Sequence, residues 1–197
     1  MTTYAWPGWN VTRFEWHLMS NTRVFTGPYT PTVQTTDLLG ERWGVRIDIA
    51  PTISSIEGAA REAFSNRLKG PVHRIALYHL RRPVPQGTMR GAPVLASAVA
   101  QLANTASITT TAGATLLAGD MIGFGGQVVM LMADAVADGT GQMSIEFQPR
   151  ARVAIAANAA VAWNQPTATF LLKTDGVVTA WVPGLAEGTS FDLIESY

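Results

Sequence analysis

Cysteine is absent from the 197 residues, which excludes a disulfide framework, a thiolate metal site and a cysteine nucleophile. Histidine is scarce: His17, His73 and His79 are the whole set. His73 and His79 stand six positions apart in a stretch that reads as a strand, roughly 20 Å at about 3.3 Å per residue, too far to share a metal unless the chain folds back. Charge is sparse as well. Charged residues make up 14% of the chain, with 14 of each sign and a formal net charge of zero, so a polyanion is not the expected main partner and no nucleic-acid specificity follows. No apolar run is long enough to span a bilayer, because Ser97, Gln101, Asn104 and Thr109-Thr110-Thr111 interrupt the uncharged segment 91–119. The first residues form neither a basic leader nor an apolar signal core.

Catalytic signatures are missing too. There is no nucleophile elbow, Walker loop or dinucleotide fingerprint. Gly119, Gly123, Gly125 and Gly126 fall between predicted strands, whereas a phosphate cradle needs a following helix N-terminus. No acid, base and nucleophile can be assembled for a hydrolase, so no catalytic residue, cofactor or resident metal is expected.

What is present is β-pattern. Residues 115–152 read as a complete small β-unit: a turn at Ala118-Gly119-Asp120, a short strand 121–124, and a Gly125-Gly126 hairpin signal. An apolar strand 127–133, an Asp- and Gly-rich loop 134–142 and an alternating strand 143–147 stopped by Pro149 complete it. Upstream, Trp6, Trp9, Phe14 and Trp16 crowd a segment whose 11–18 stretch partly alternates. Residues 22–36 are Thr-rich, broken by Gly27-Pro28, and predict a long thin hairpin or arm. Residues 41–49 put Trp43, Val45, Ile47 and Ile49 on one face.

One helix is predicted over 54–69. Ser54 and Glu57 have capping-box spacing, Ile56, Ala60, Phe64 and Leu68 form a stripe, and Lys69-Gly70-Pro71 ends it. A strand is expected at 72–80. Residues 81–91, with three arginines and two prolines, read as a linker, and Asn164-Gln165-Pro166 as a second boundary. Strands at 167–173, 177–182 and 189–195 follow, with Asp175-Gly176 as a hairpin signal. Two or three such strands do not stand alone, so they should complete the sheet begun in the first half. The expected organisation is mainly β: a sandwich-like domain of residues 1–90 and 164–197 with one helix, interrupted by a small β-barrel or sandwich of residues 91–163.

Two candidate sites invite weighing. Asp134 and Asp138, with Glu146 near, suggest calcium, but the spacing lacks the distal bidentate Glu of a calcium loop and a plain Asp-Gly turn is favoured. The tryptophan cluster offers either a sugar platform or packing anchors; the area each ring buries favours packing.

Several short motifs together carry a resemblance. They are Phe14-Glu15-Trp16, Asn21-Thr22-Arg23-Val24-Phe25-Thr26, Ala118-Gly119-Asp120, Gly125-Gly126-Gln127, Ala133-Asp134-Ala135, Ala137-Asp138-Gly139 and Pro166-Thr167-Ala168-Thr169-Phe170. Spread over nearly the whole chain, they resemble tail proteins of long-tailed bacteriophages and prophages, and the layout is similar to distal tail proteins. That resemblance implies a structural virion protein assembled in the host cytoplasm, a homohexameric ring joining the tail tube protein to the tail-tip or baseplate hub. It implies copies of itself, the tube and the hub as partners, and an interface drawn from Trp6, Trp9, Trp16, Arg23, Phe25, Tyr29 and Phe64. The outer domain departs from the family, being inserted and short where many members carry a larger C-terminal one. The alternative function is a carbohydrate- or receptor-binding tail module.

Overall fold

The computed structural model describes residues 1–26 and 32–196. In chain order its elements are β1 (Thr3–Ala5), β2 (Val11–Met19), β3 (Thr22–Thr26), β4 (Val33–Asp37), β5 (Arg42–Ile49), α1 (Ser55–Leu68), a 3-10 turn (Gly70–Val72) and β6 (Arg74–Leu77). Then come β7 (Val94–Leu95), β8 (Thr105–Thr109), β9 (Thr115–Leu116), β10 (Met121–Phe124), β11 (Gln127–Leu131), β12 (Ala135–Val136) and β13 (Gln142–Gln148). The chain closes with β14 (Ala168–Leu172), β15 (Trp181–Val182), β16 (Leu185–Ala186) and β17 (Thr189–Glu195). The fold is mainly β and sandwich-like, with one α-helix.

A six-stranded sheet runs β1-β6-β14-β17-β5-β2, parallel only between β1 and β6. Alternation fixes which face is inside: Trp43, Val45, Ile47 and Ile49 of β5 and Phe191 and Leu193 of β17 are buried. Helix α1 lays Phe64 and Leu68 into the same core. Because β6 and β14 are neighbours, with Ile75 opposite Phe170 and Leu77 opposite Ala168, the chain leaves this sheet and re-enters it beside its point of departure. Between the two it builds an antiparallel five-stranded sheet, β10-β11-β13-β8-β7, with a second core running from Met89 to Val161.

The β10–β11 hairpin joins the two cores. Its turn is Gly125-Gly126, both at positive φ (59° and 78°), as a two-residue hairpin of right-handed twist requires. Ile122, Val129 and Leu131 face the second core, while Met121 and Val128 pack in the first. Burial on both faces explains an apolar run that shows no alternation. The indole N–H of Trp43 seals the junction by donating to the Val128 carbonyl at 2.7 Å.

Several local expectations need correction. Ser54 does cap α1, accepting the Glu57 N–H at 3.3 Å, but the Glu57 carboxylate turns to Arg61 and to the Thr52 hydroxyl, so the box is half made. The helix buries Gly58, Arg61, Phe64, Ser65 and Leu68, while Ile56 and Ala60 of the expected stripe face out. Spacing by four was satisfied equally by a face the sheet does not reach. The strand expected at 72–80 is only β6, because His73 and His79 leave the ladder at either end. Asp175-Gly176 does not make a hairpin with a strand 177–182; pairing begins only at Trp181, across a tight turn to Leu185.

Candidate assembly surface

The connection from β2 to β5 is longer than a sheet corner requires, and its spare length becomes the β3–β4 hairpin. Thr22 pairs with Asp37, Val24 with Thr35 and Thr26 with Val33, which puts Thr22, Val24, Thr26, Val33, Thr35 and Asp37 on one face and Arg23, Phe25, Gln34 and Thr36 on the other. Every described residue of both strands is exposed; Val24 and Val33 are 62% and 60% exposed. The β-branched residues favour an extended pair locally, but a lone two-stranded hairpin is marginal in water. Among the described residues, none buries either face of this hairpin.

The base of this arm is tied down. The Leu38 N–H donates to the Asn21 carbonyl at 2.8 Å, the Asn21 amide to the Leu39 carbonyl at 2.9 Å, and the Leu39 N–H to the Asp37 carboxylate at 3.0 Å.

A second uncovered apolar surface lies at the far end of β5, where the chain enters α1. Ile53 and Ile56 are 86% and 83% exposed. Beside them the β15–β16 hairpin brings Trp181 over Gly58, so close that a Cβ there would meet the indole ring at 2.4 Å. Val178, Trp181 and Val182 also expose much of their side chains. Glu57, at the helix start, is held below the usual carboxylate range by its bond to Arg61 and then by the Thr52 hydroxyl. The arm leaves one end of β5 and the helix begins at the other, about 25 Å away at roughly 3.4 Å per residue.

Of the interface residues expected from sequence, Arg23 and Phe25 stand exposed on the arm. Tyr29 lies outside the described residues. Trp6, Trp9 and Phe64 form an edge-to-face cluster with Phe191 under the helix, ring centroids 5.3 to 6.3 Å apart. Phe64, 8% exposed, has no surface to offer a neighbour, and the two tryptophans do not form a flat exposed platform. Trp16 packs on Trp43, Phe170 and His79. Sequence reasoning passed over Val24, Val33, Ile53, Ile56 and Trp181. Val24 and Val33 were legible as apolar residues within a polar arm, whereas the exposure of Trp181 depends on where its hairpin lands.

The Asp134–Asp138 loop is internally satisfied. Asp134 accepts the Ala118 N–H at 2.7 Å, and one Asp138 oxygen accepts the Thr140 hydroxyl and the N–H groups of Thr140 and Gln142. Those bonds, the Thr140 hydroxyl first, hold Asp138 below its ordinary range. Among the described residues no group of three or more His, Cys, Asp or Glu could hold a metal ion, and no helix is long and apolar enough to cross a membrane.

Polar bonds across the junction fix the second module against the first. Glu195, almost wholly buried, accepts the Trp43 N–H at 2.9 Å and pairs with Arg152. Arg82 donates to the Gly119 carbonyl, and buried Asp120 accepts the N–H groups of Gln86, Gly87 and Leu117. No family model matches this chain, and no curated protein is significantly similar to it.

Proposed function

We propose that this chain is a structural subunit that bonds side by side to copies of itself, in the manner of a ring component of a long-tailed phage tail. The observation carrying the reading is the β3–β4 arm, a hairpin of five paired positions whose described residues are all exposed. A projecting hairpin with a β-branched, largely uncharged face gains stability only when something covers it. Ile53 and Ile56 at the other end of β5 offer a second, different apolar surface. Two unlike surfaces on one subunit suit head-to-tail contacts, which close into a ring when the rotation allows.

In this reading the work is geometric: subunits joined around an open channel connect tube to tip. The low charge of the chain fits faces that meet other protein. The resemblance noted in the sequence supplies the tail context, a hexamer as the ring number, and tube and hub as partners.

Sedimentation velocity and electron microscopy of the purified chain test the proposal. Closed oligomers are expected from the wild type, and folded monomers with an unchanged far-UV circular dichroism spectrum, melting below the assembled wild type, from the Val24→Asp, Val33→Asp double variant. A wild type that stays monomeric at high concentration, alone and with tube and hub proteins added, would remove the basis for it.

A further inference from the structure

Both described strands of the arm are exposed, yet its base is grasped by the second module. Arg150, just beyond β13, reaches Asp37 at the end of β4, Nη1 to Oδ2 at 3.1 Å. Its backbone N–H meets the Glu41 carboxylate at 3.4 Å. One residue thus holds the chain on both sides of the Leu39-Gly40 step. That step is where the arm turns into β5, and both residues sit at positive φ, 61° for Leu39 and 81° for Gly40. For Leu39 this is an unfavourable backbone region, retained because the bonds around it over-determine the turn. Beneath lies a cavity of about 180 Å³ lined by Leu39, Gly40, Glu41, Leu102, Arg150 and Arg152 among others, so the base has room to move.

We propose that Arg150 is a latch by which the second module sets the angle of the arm, and that Leu39-Gly40 is the hinge the latch restrains. The inference rests on the reading of the arm as the assembly element. A latched arm meets a neighbouring subunit already oriented, so less ordering entropy is lost on docking. The module then serves assembly without touching the neighbour: any partner that draws Arg150 away from Asp37 frees the arm.

The absence of cysteine makes the test clean. Spin labels are placed at Thr35→Cys on the arm and Ser144→Cys on the module, and the labelled chain is diluted into unlabelled wild type so that only distances within one subunit are read. The wild type should give one narrow distance. Arg150→Ala should add a broad population, the latched fraction relative to the free falling by up to roughly fivefold, the range for a partly exposed ion pair. Asp37→Asn, which keeps the oxygen that Leu39 donates to, should do the same without disturbing either core. A distance unchanged in both single variants, or a wild type that is already broad, would each overturn the latch. None of these readings depends on whether rings form.

Discussion

His79 shows how burial sets a side chain's chemistry. It is 6% exposed, edge-on to Phe14 at 5.0 Å, and both ring nitrogens face Arg82: Nδ1 accepts its backbone N–H at 3.0 Å and Nε2 lies 3.2 Å from its guanidinium. Desolvation first, and the Arg82 charge second, push its pKa down to about 4. A histidine depressed in the folded state binds a proton more readily when unfolded, so its contribution to stability is complete above pH 6.5 and is lost between pH 6.5 and 4. The loss should approach on the order of 3 kcal/mol. Thermal unfolding followed against pH checks this: the wild type should weaken across that interval and His79→Leu should stay nearly flat. Asp48, Glu57 and Asp138 are held low instead, so their contributions are lost only as pH falls below about 5, which leaves the upper part of the interval to His79. Glu195 is the other decisive residue. Glu195→Ala strips the junction of the carboxylate that Arg152 and the Trp43 N–H donate to, and should cost about 3–5 kcal/mol in denaturant unfolding.

Among the elements, the β10–β11 hairpin separates this fold from an ordinary pair of sandwiches. A half-buried strand tolerates every second substitution, whereas a strand buried on both faces tolerates few. Met121 and Ile122 are adjacent, yet one packs in each core. Met121→Ala and Ile122→Ala should therefore both cost about 2–5 kcal/mol in chemical denaturation, where simple alternation would leave one of them silent. The helix and the arm are built the opposite way. Helix α1 commits one side to the sheet and leaves Ile56, Ala59, Ala60 and Ala63 outside. The arm commits neither face, which is why the Val24→Asp, Val33→Asp variant should keep the wild-type fold by circular dichroism while failing to assemble.

On the scale of the whole molecule, the two cores share a hairpin and a set of buried polar bonds, so neither is expected to unfold alone. Calorimetry should show a single transition whose calorimetric and van't Hoff enthalpies agree. Two resolved transitions would mean the junction is weaker than its bonds imply. Much of this architecture was legible in one dimension. Alternation in 41–49 put Trp43, Val45, Ile47 and Ile49 on the one face that β5 buries, 189–195 read as the strand β17, paired glycines placed the β10–β11 turn, and Ser54 and Gly70 bracketed the helix, because period, turn chemistry and capping are local. The assembly surface was legible only in part. The arm announced itself by threonine and a Gly-Pro break, but Trp6, Trp9 and Phe64 look the same in sequence whether they cover a partner or their own helix. Sequence alone determined the alternating strand β5, the Gly125-Gly126 turn, the span of the helix and the absence of a thiol. Tertiary structure decided which helix face is left bare, that one hairpin serves two cores, and that Arg150 reaches Asp37, because each depends on groups brought together from distant parts of the chain.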